Sequence, residues 1–239
     1  MNKISLSMIT FFYNEEEEIL EYLKIVTDKF EKIKKNFDYD YEIVLVNDGS
    51  TDNSKKIVEK YILENKNISF KLVSYEENKG IGYALIQGLK NCSNDYVFWN
   101  DVDLHFNIDD LGKIFNLLNE STIVVTYKIN ILYKTFIPWF VSRVNYNLLK
   151  FLFYRKIKDF QFVQFFPKKF IKNIKIISRS SLIPCELLSR SKGKYNIEQV
   201  GLYYTSPSEE RKSKCLNFQN IYYTFRDIFK LRIKLWFNK

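Results

Sequence analysis

The chain has 239 residues, of which 46% are apolar, enough to bury a hydrophobic core and to exclude a wholly disordered protein. Seven glycines and four prolines are fewer than an average chain of this length carries, which argues against an all-β fold with many tight turns. The net charge of +9 divides unevenly, since residues 1–120 have a net charge of −8 and residues 121–239 a net charge of +17.

Short β-rich apolar runs alternate with longer helix-like segments in the first half, a pattern that predicts parallel strands joined by crossover helices. The predicted strands are Ile4–Phe12, Glu42–Asn47, Ser69–Ser74, Tyr96–Trp99 and Thr122–Thr126. The predicted helices, with apolar residues at spacings of three and four, are Glu15–Lys35, Asp52–Asn65, Gly82–Asn91 and Ile108–Leu118. We therefore expect an α/β fold with a central, mostly parallel sheet flanked by helices.

The second half is richer in basic and aromatic residues. Lys134–Lys158 and Pro184–Arg190 are predicted to be helical, Tyr195–Tyr204 to be a strand, and Phe218–Phe237 to form a basic amphipathic helix. Such a segment suits phosphate groups, a nucleic acid or an anionic membrane surface. Lysine enrichment from genome composition is the alternative explanation.

The three cysteines are far apart and odd in number, which fits neither a disulfide framework nor a thiolate metal cluster. A reducing, cytoplasmic setting is therefore expected. No basic-then-apolar signal segment precedes the first strand, and no run of about 18 apolar residues is present, so we expect a chain that does not span a bilayer.

Polar residues follow the first four predicted strands. They are Asn14-Glu15, Asp48-Gly49-Ser50, Asn78-Lys79-Gly80 and Asp101-Val102-Asp103. Because the carboxyl ends of parallel strands open onto one crevice, these loops are expected to form one polar rim.

Asp101 and Asp103 lie on alternate residues at a strand end, where both carboxylates can approach one hard cation. An Asp-x-Asp alone is a weak signal, since solvated acidic turns are common. His105, the single histidine, continues the alternation, so it is either a third ligand or a structural residue.

Asp48 follows a buried strand, where a carboxylate can accept hydrogen bonds from a nucleobase or ribose, or simply make an Asp-Gly turn. Lys79 precedes a helix in a glycine-containing loop that suits a phosphate or is an ordinary helix start. The absence of G-x-G-x-x-G and of a Walker-type lysine loop disfavours dinucleotide cofactors and P-loop hydrolysis.

Three segments resemble glycosyltransferase family 2, and within it the polyprenyl- (dolichol-) phosphate mannose and glucose synthases. They are Ile9–Ile19 (ITFFYNEEEEI), Glu42–Asp52 (EIVLVNDGSTD) and Asn78–Leu104 (NKGIGYALIQGLKNCSNDYVFWNDVDL). The resemblance covers most of residues 5–120 and implies a GT-A fold, a nucleotide-diphosphate sugar donor and a divalent cation, Mg²⁺ or Mn²⁺.

The resemblance also implies roles for individual residues. Asp101 and Asp103 match the metal site, and His105 stands where a glutamine ligand is often found. Tyr13, Glu15 and Asp48 match nucleoside contacts, and Lys79 lies in the loop on the diphosphate side. The implied domain spans residues 1–215, with a donor and metal half at 1–120, an acceptor half at 121–215 and a C-terminal helix at 216–239.

The acceptor half resembles the family more loosely. Lys128 stands where an arginine is usual for the acceptor phosphate, and Asp159 begins a motif whose later Gly and Arg/Lys are missing. The other matches are Ser142, Arg143, Arg211 and Lys214 on the phosphate side, and Glu186 and Arg190 in a closing motif. Phe11 and Pro138 replace a proline and an arginine of the family.

These features predict an inverting, metal-dependent glycosyltransferase, with Asp103 and Asp159 as catalytic residues. Asp159 would act as a base or orient the acceptor. The expected acceptor is a polyprenyl phosphate, with the enzyme peripheral on the cytoplasmic face of a membrane and no nucleic acid bound. The alternatives are a soluble family 2 enzyme that glycosylates a saccharide hydroxyl and, more distantly, a basic nucleic-acid-binding module.

Overall fold

The computed structural model describes residues 3–102, 107–129, 143, 146–150, 157–160, 162–204, 226–228, 230–231 and 233. Its strands are β1 (Ile4–Phe12), β2 (Tyr39–Asp48), β3 (Phe70–Tyr75), β4 (Tyr96–Trp99), β5 (Thr122–Lys128), β6 (Gln164–Pro167) and β7 (Asn196–Leu202). Its helices are α1 (Ile19–Lys34), α2 (Ser54–Glu64), α3 (Ile81–Asn91), α4 (Gly112–Phe115), α5 (Lys168–Lys172) and α6 (Ile183–Arg190).

The described strands form one sheet in the order β3-β2-β1-β4-β6-β5-β7. Strands β1 to β4 are mutually parallel, β6 runs antiparallel to both β4 and β5, and β7 is parallel to β5. The carboxyl ends of β1 to β5 therefore lie at the same edge of the sheet. This confirms the predicted α/β class. The polar loops that follow β1 to β4 start from this shared edge of the sheet.

The sheet separates two hydrophobic layers. Alternate residues of β2 face opposite sides: Ile43 and Leu45 pack with α1 and α2, whereas Val44 and Val46 pack with α3 and α6. Because both faces are covered by helices, β2 is buried from Tyr41 to Asp48. The helices cover the two faces of the sheet, and the loops lie at the carboxyl ends of its strands.

Most predicted elements are present, with shifted ends. β1 and β4 have the predicted bounds, and β2, β3 and β5 extend further or shift by one residue. The fourth predicted helix begins as a 3-10 turn (Ile108–Leu111), in which the Asn107 side chain accepts a hydrogen bond from the backbone N–H of Asp109, and it continues only through α4. Strand β6 was not predicted, because its four consecutive buried residues show no alternation.

Little of the two predicted basic helices is described. Residues 146–150 are helical and residues 157–160 are not, so the first helix ends before its predicted end at Lys158. Residues 226–228 are also helical, and Leu149, Ile228 and Leu231 are buried in the layer that contains α3 and α6. In the part of the chain that the structure describes, no helix is both long and apolar enough to cross a membrane.

Candidate active site

The loops after β1 and β2 are joined by hydrogen bonds between side chains and backbone. Asn14, at a φ of 53°, donates its backbone N–H to Ser50 Oγ at 3.1 Å and accepts the backbone N–H of Thr51 at 2.8 Å. The backbone N–H of Glu15 donates to Ser54 Oγ at 2.8 Å. These bonds fix Glu15 beside the start of α2, and Tyr13 remains 40% exposed at the same edge.

Asp48, at the end of β2, holds the third loop in place. Its side chain is 4% exposed and accepts hydrogen bonds from the Tyr75 hydroxyl at 2.7 Å, from Lys79 N–H at 2.8 Å and from Gly80 N–H at 2.9 Å. The predicted turn at Gly49 is present at a φ of +69°, where a Cβ would overlap with the backbone of Glu77. Asp48 thus orders the loop before α3, and its contact with a nucleoside stays a prediction.

Lys79 is held next to two tyrosine rings. Its Nζ lies 5.9 Å from the Tyr75 ring centroid and 5.3 Å from that of Tyr83, and the two rings meet edge to face at 5.2 Å. Burial and the hydrogen bond to the Asp48 carboxylate raise the pKa of Tyr75, so its hydroxyl remains a donor. The ammonium is therefore positioned at the rim through Asp48 and Tyr75.

Asp101 follows β4 directly, and the backbone N–H of Asn100 still bonds to Ile9 O at 3.0 Å, which keeps this segment in register with β1. Burial, and next the negative charge of Glu15, raise the pKa of Asp101 to about 6. Two carboxylates from the loops after β1 and β4 therefore lie close enough to repel one another. A cation between them would relieve that repulsion.

The chemistry of Asp101 fits a hard divalent cation, because its carboxylate offers oxygen ligands. Within the described ranges no group of three or more His, Cys, Asp or Glu side chains that could hold a metal ion is present. Asp103 and His105 lie outside the described residues. Their predicted roles as ligands, and that of Asp103 in catalysis, stay predictions.

Asn100 was not singled out by the sequence, although it immediately precedes the acidic pair. Its side chain is 4% exposed, and its Nδ2 has no hydrogen-bond partner in the described part of the chain. A buried amide N–H without a partner costs about 1–3 kcal/mol. A polar residue at the end of a buried strand was the signal that could have identified it.

Lys128 and Asp159 lie near enough to interact electrostatically. Burial lowers the pKa of Lys128, and the negative charge of Asp159 opposes that shift. Asp159 Oδ1 also accepts the backbone N–H of Phe162 at 3.1 Å. The structure thus brings together the cation and the carboxylate that the sequence assigned to the acceptor, although they are 31 residues apart in the numbering.

The structure describes only some of the other residues that the sequence assigned to the acceptor, and their roles stay predictions. Arg143 is exposed, and Ser142, Arg211 and Lys214 lie outside the described residues. Glu186 is fully buried and accepts backbone N–H bonds from Ile177 and Ser178 and a side-chain bond from Arg190. That predicted closing motif therefore fixes the backbone before α6.

The segment fixed by Glu186 also contacts the donor side. The backbone N–H of Arg179 donates to the buried Asp227 carboxylate at 2.8 Å, and a Cβ on Gly82 in α3 would overlap with the backbone of Arg179. The first turn of α3, next to Lys79, is therefore packed against residues from the second half.

Two of the known proteins with similar sequences carry different names. The chain is 29% identical over 122 residues to a dolichyl-phosphate beta-glucosyltransferase of Dictyostelium discoideum, covering 50% of this chain and 37% of that protein. It is 39% identical over 107 residues to a poly-beta-1,6-N-acetyl-D-glucosamine synthase of Staphylococcus aureus, covering 43% of this chain and 23% of that protein. The chain thus spans only part of the length of these relatives.

Solved structures support the fold. Glucosyl-3-phosphoglycerate synthase from Mycobacterium tuberculosis, in complex with Mn²⁺, UDP and glucosyl-3-phosphoglycerate, has a TM-score of 0.65 at 16% identity, with 97% of this chain and 80% of that chain covered. A mannosyltransferase from Pyrobaculum calidifontis, in complex with GDP-Man and Mn²⁺, has a TM-score of 0.63 at 17% identity, with 88% and 59% covered. These likenesses confirm the expected GT-A fold.

Residues 7–176 match the family described as glycosyl transferase family 2. This match includes the loops after β1 to β5 and Asp159. It confirms the prediction of an enzyme and does not favour the alternative of a nucleic-acid-binding module. The chain belongs to glycosyl transferase family 2.

Proposed function

We propose that this chain transfers a sugar, with inversion, from a nucleotide-diphosphate sugar to a polyprenyl (dolichyl) phosphate. The observation that carries the proposal is the placement of Lys128 at the carboxyl end of β5, near Asp159 and on the edge of the sheet that also carries Asp101. A single site with an acidic donor side and a cation on the acceptor side suits an anionic acceptor. The similarity to dolichyl-phosphate beta-glucosyltransferases supports the same acceptor.

The donor would bind along the loops after β1 to β4. Tyr13, Glu15 and Asp48 are proposed nucleoside contacts, and Lys79 offers a positive charge to the diphosphate. Asp101, Asp103 and His105 would hold a Mg²⁺ or Mn²⁺ ion. When bound, that ion neutralises negative charge on the diphosphate leaving group.

The acceptor would approach from the β5 side, opposite the departing nucleotide. Lys128, together with Ser142, Arg143, Arg211 and Lys214, is proposed to bind the acceptor phosphate. A phosphate is already anionic at neutral pH and needs no strong base, so Asp159 would orient it. For a hydroxyl acceptor, Asp159 would instead accept the proton as the bond to the anomeric carbon forms.

The proposed organisation follows the two charge halves. Residues 1–120 form the donor and metal half, 121–215 the acceptor half, and 216–239 a basic helix that would lie on the cytoplasmic face of a membrane. The exposed side chains Leu148 and Ile233, on segments whose other faces are buried, support contact with an interface.

A saccharide hydroxyl acceptor is the second candidate, favoured by the similarity to poly-beta-1,6-N-acetyl-D-glucosamine synthases. With a saccharide hydroxyl as the acceptor, the enzyme would extend a polysaccharide or glycoconjugate. The two candidates share the donor and the cation and differ only in the nucleophile.

A donor screen separates them. UDP- and GDP-sugars are supplied with Mg²⁺ or Mn²⁺ and with either polyprenyl phosphate or short saccharides, and both nucleotide release and the glycosylated product are measured. We expect transfer to polyprenyl phosphate, and we expect chelation of the metal to abolish it. If Asp101 holds the cation, Asp101→Asn should lower the rate of sugar transfer by about 100-fold or more. A loss of this size is typical when a group that stabilises charge in the transition state is removed.

Transfer to saccharides with no turnover of polyprenyl phosphate would establish the second candidate instead. Nucleotide release without either product would support the donor half and contradict both acceptors tested.

A further inference from the structure

The Lys128 side chain is enclosed by two aromatic rings that come from different parts of the chain. Its Nζ lies 4.5 Å from the ring centroid of Tyr204, beyond β7, and 5.3 Å from that of Phe162, before β6. The two rings meet at 66° with centroids 6.3 Å apart. We call Phe162 and Tyr204 the aromatic cage.

We propose that the aromatic cage positions the Lys128 ammonium to receive the anionic group of the acceptor, and that Phe162 and Tyr204 are positioning residues for this site. The proposal rests on the proposed function, because it assigns Lys128 to the acceptor. Neither ring was among the site residues predicted from the sequence.

The cage compensates for burial of the cation. Burial lowers the pKa of Lys128, because the ammonium loses part of its hydration at the place where an anion is to bind. The negative faces of aromatic rings stabilise an ammonium ion without occupying its N–H donors. Among the contacts of the described residues, Lys128 Nζ has its two rings and no hydrogen bond or ion pair, which leaves its N–H donors for a ligand in this proposal.

Phe162 connects the cation to the carboxylate. Its backbone N–H donates to Asp159 Oδ1 at 3.1 Å, and its ring faces Lys128. One residue therefore sets the positions of both charged groups.

This arrangement selects an anionic acceptor. A phosphate oxygen can accept the N–H donors of Lys128 and gain a charge-assisted hydrogen bond, whereas a neutral hydroxyl gains less from the same cation. Removing a ring should therefore weaken binding of the lipid phosphate and leave binding of the nucleotide sugar almost unchanged.

Tyr204 offers the sharpest test, because its neighbour provides a matched control. Tyr203 is 55% exposed and its ring lies 5.6 Å from Lys113 Nζ, so Tyr203→Leu removes the same kind of contact from a different lysine. In the full chain, initial rates are measured against polyprenyl phosphate at saturating nucleotide sugar. Tyr204→Leu should raise the acceptor KM by about 3- to 10-fold, whereas Tyr204→Phe and Tyr203→Leu should change it by less than about 2-fold.

The pH dependence of kcat/KM distinguishes an effect on the Lys128 ammonium from a simple loss of packing, because loss of packing alone would not shift it. Removal of the Tyr204 ring destabilises the ammonium, so the alkaline limb of kcat/KM for the acceptor should shift to lower pH in Tyr204→Leu and not in Tyr204→Phe. If Tyr204→Leu fails to fold, trifluorophenylalanine at position 204 replaces it, since fluorination weakens the negative ring face at nearly constant shape. Its KM should exceed that of Tyr204→Phe.

Equal acceptor KM values for Tyr204→Leu and Tyr204→Phe, or for the fluorinated variant and Tyr204→Phe, would overturn the role of the cage. No turnover of polyprenyl phosphate by the wild-type chain would instead contradict the proposed function. In that case the amine of Lys128 is followed by NMR after reductive methylation, with Lys128→Gln to assign its signal. An unchanged pKa of that amine in Tyr204→Leu would then overturn the cage independently of turnover.

Discussion

At the end of β4, Asp101 lies in a setting that disfavours its own charge. Burial, with the charge of Glu15 added to it, raises the pKa of Asp101 to about 6. A folded-state pKa above the usual value of an aspartate means that the folded protein holds the proton more tightly than the unfolded chain. Without a cation, the ionised carboxylate therefore destabilises the fold above about pH 6, and the cost disappears as the pH falls towards about 4.

Asp101→Asn should consequently increase stability while it removes activity. A shift of about 2 pKa units corresponds to about 3 kcal/mol, and because the residue is partly exposed we expect a gain of about 1–2 kcal/mol at neutral pH. The measurement is urea unfolding in a chelator at about pH 7.5 and again near pH 4.5, where the gain should shrink. A variant less stable than wild type at both pH values would contradict the cost assigned to Asp101.

Two buried asparagines at strand ends differ in how well their amides are satisfied. Asn47 Nδ2 donates to Ser74 Oγ at 3.0 Å and its Oδ1 accepts Ser50 N–H at 3.0 Å, whereas Asn100 Nδ2 has no partner among the described residues. Replacement by leucine should therefore cost about 2 kcal/mol or more at Asn47 and less than about 1 kcal/mol at Asn100. Denaturant unfolding of the two variants checks this, and equal losses would show that the Asn100 amide is also satisfied.

At the scale of elements, the loops after β1, β2 and β3 are held to one another by hydrogen bonds. The loops after β1 and β2 exchange hydrogen bonds through Asn14 and Ser50, and Asp48 holds the loop after β3. On the opposite side, α6 fixes the preceding segment through Glu186, and that segment contacts the first turn of α3. Local changes at either place should therefore propagate to the rim.

Glu186 and Glu64 permit a matched comparison of two i,i+4 ion pairs. Glu186 is fully buried and lies 2.8 Å from Arg190, whereas Glu64 is exposed and lies 3.8 Å from Lys60. Glu186→Ala leaves the partly exposed Arg190 guanidinium and two backbone N–H groups without their acceptor and should cost about 3 kcal/mol. Glu64→Ala should cost less than about 0.5 kcal/mol.

Thermal unfolding compares the two alanine variants, and Glu186→Gln serves as a milder second change. A loss at Glu186 no larger than at Glu64 would show that the buried pair does not hold the segment before α6.

The sequence predicted elements better than it predicted contacts between them. β1 and β4 were predicted with their observed bounds, because their apolar runs are bounded by turn residues. β6 was missed because it is short, buried on both faces and antiparallel to both neighbours, and no local pattern distinguishes such a strand. Its register with β4 and β5 depends on residues more than 35 positions away.

At the scale of the whole molecule, the charge asymmetry corresponds to two sides of one sheet edge. The acidic half supplies the loops after β1 to β4, and the basic half supplies Lys128 and the segments near α6. Where residues 146–150 and 226–233 are described, Leu149 and Leu231 are buried while Leu148, Lys230 and Ile233 are exposed. That division is typical of segments with one face on the protein and another available to an interface.

The chain should therefore bind vesicles that contain anionic lipid, and binding should weaken at about 0.5 M salt because exposed charges are then screened. Co-flotation with phosphatidylglycerol-containing vesicles measures this, with pure phosphatidylcholine vesicles as the control. Equal flotation with both vesicle types would contradict an electrostatic contribution, and no flotation with either would contradict the peripheral role.

The sequence by itself determined the α/β class, the rim of polar loops and the family, because strand periodicity and strand-end motifs are local in the chain. Only the tertiary structure showed that Asp48 orders the loop of Lys79, that Glu15 raises the pKa of Asp101 and that Phe162 and Tyr204 enclose Lys128. These features arise where distant segments meet, and the energies of burial, repulsion and ring contact depend on distances that residue spacing does not encode.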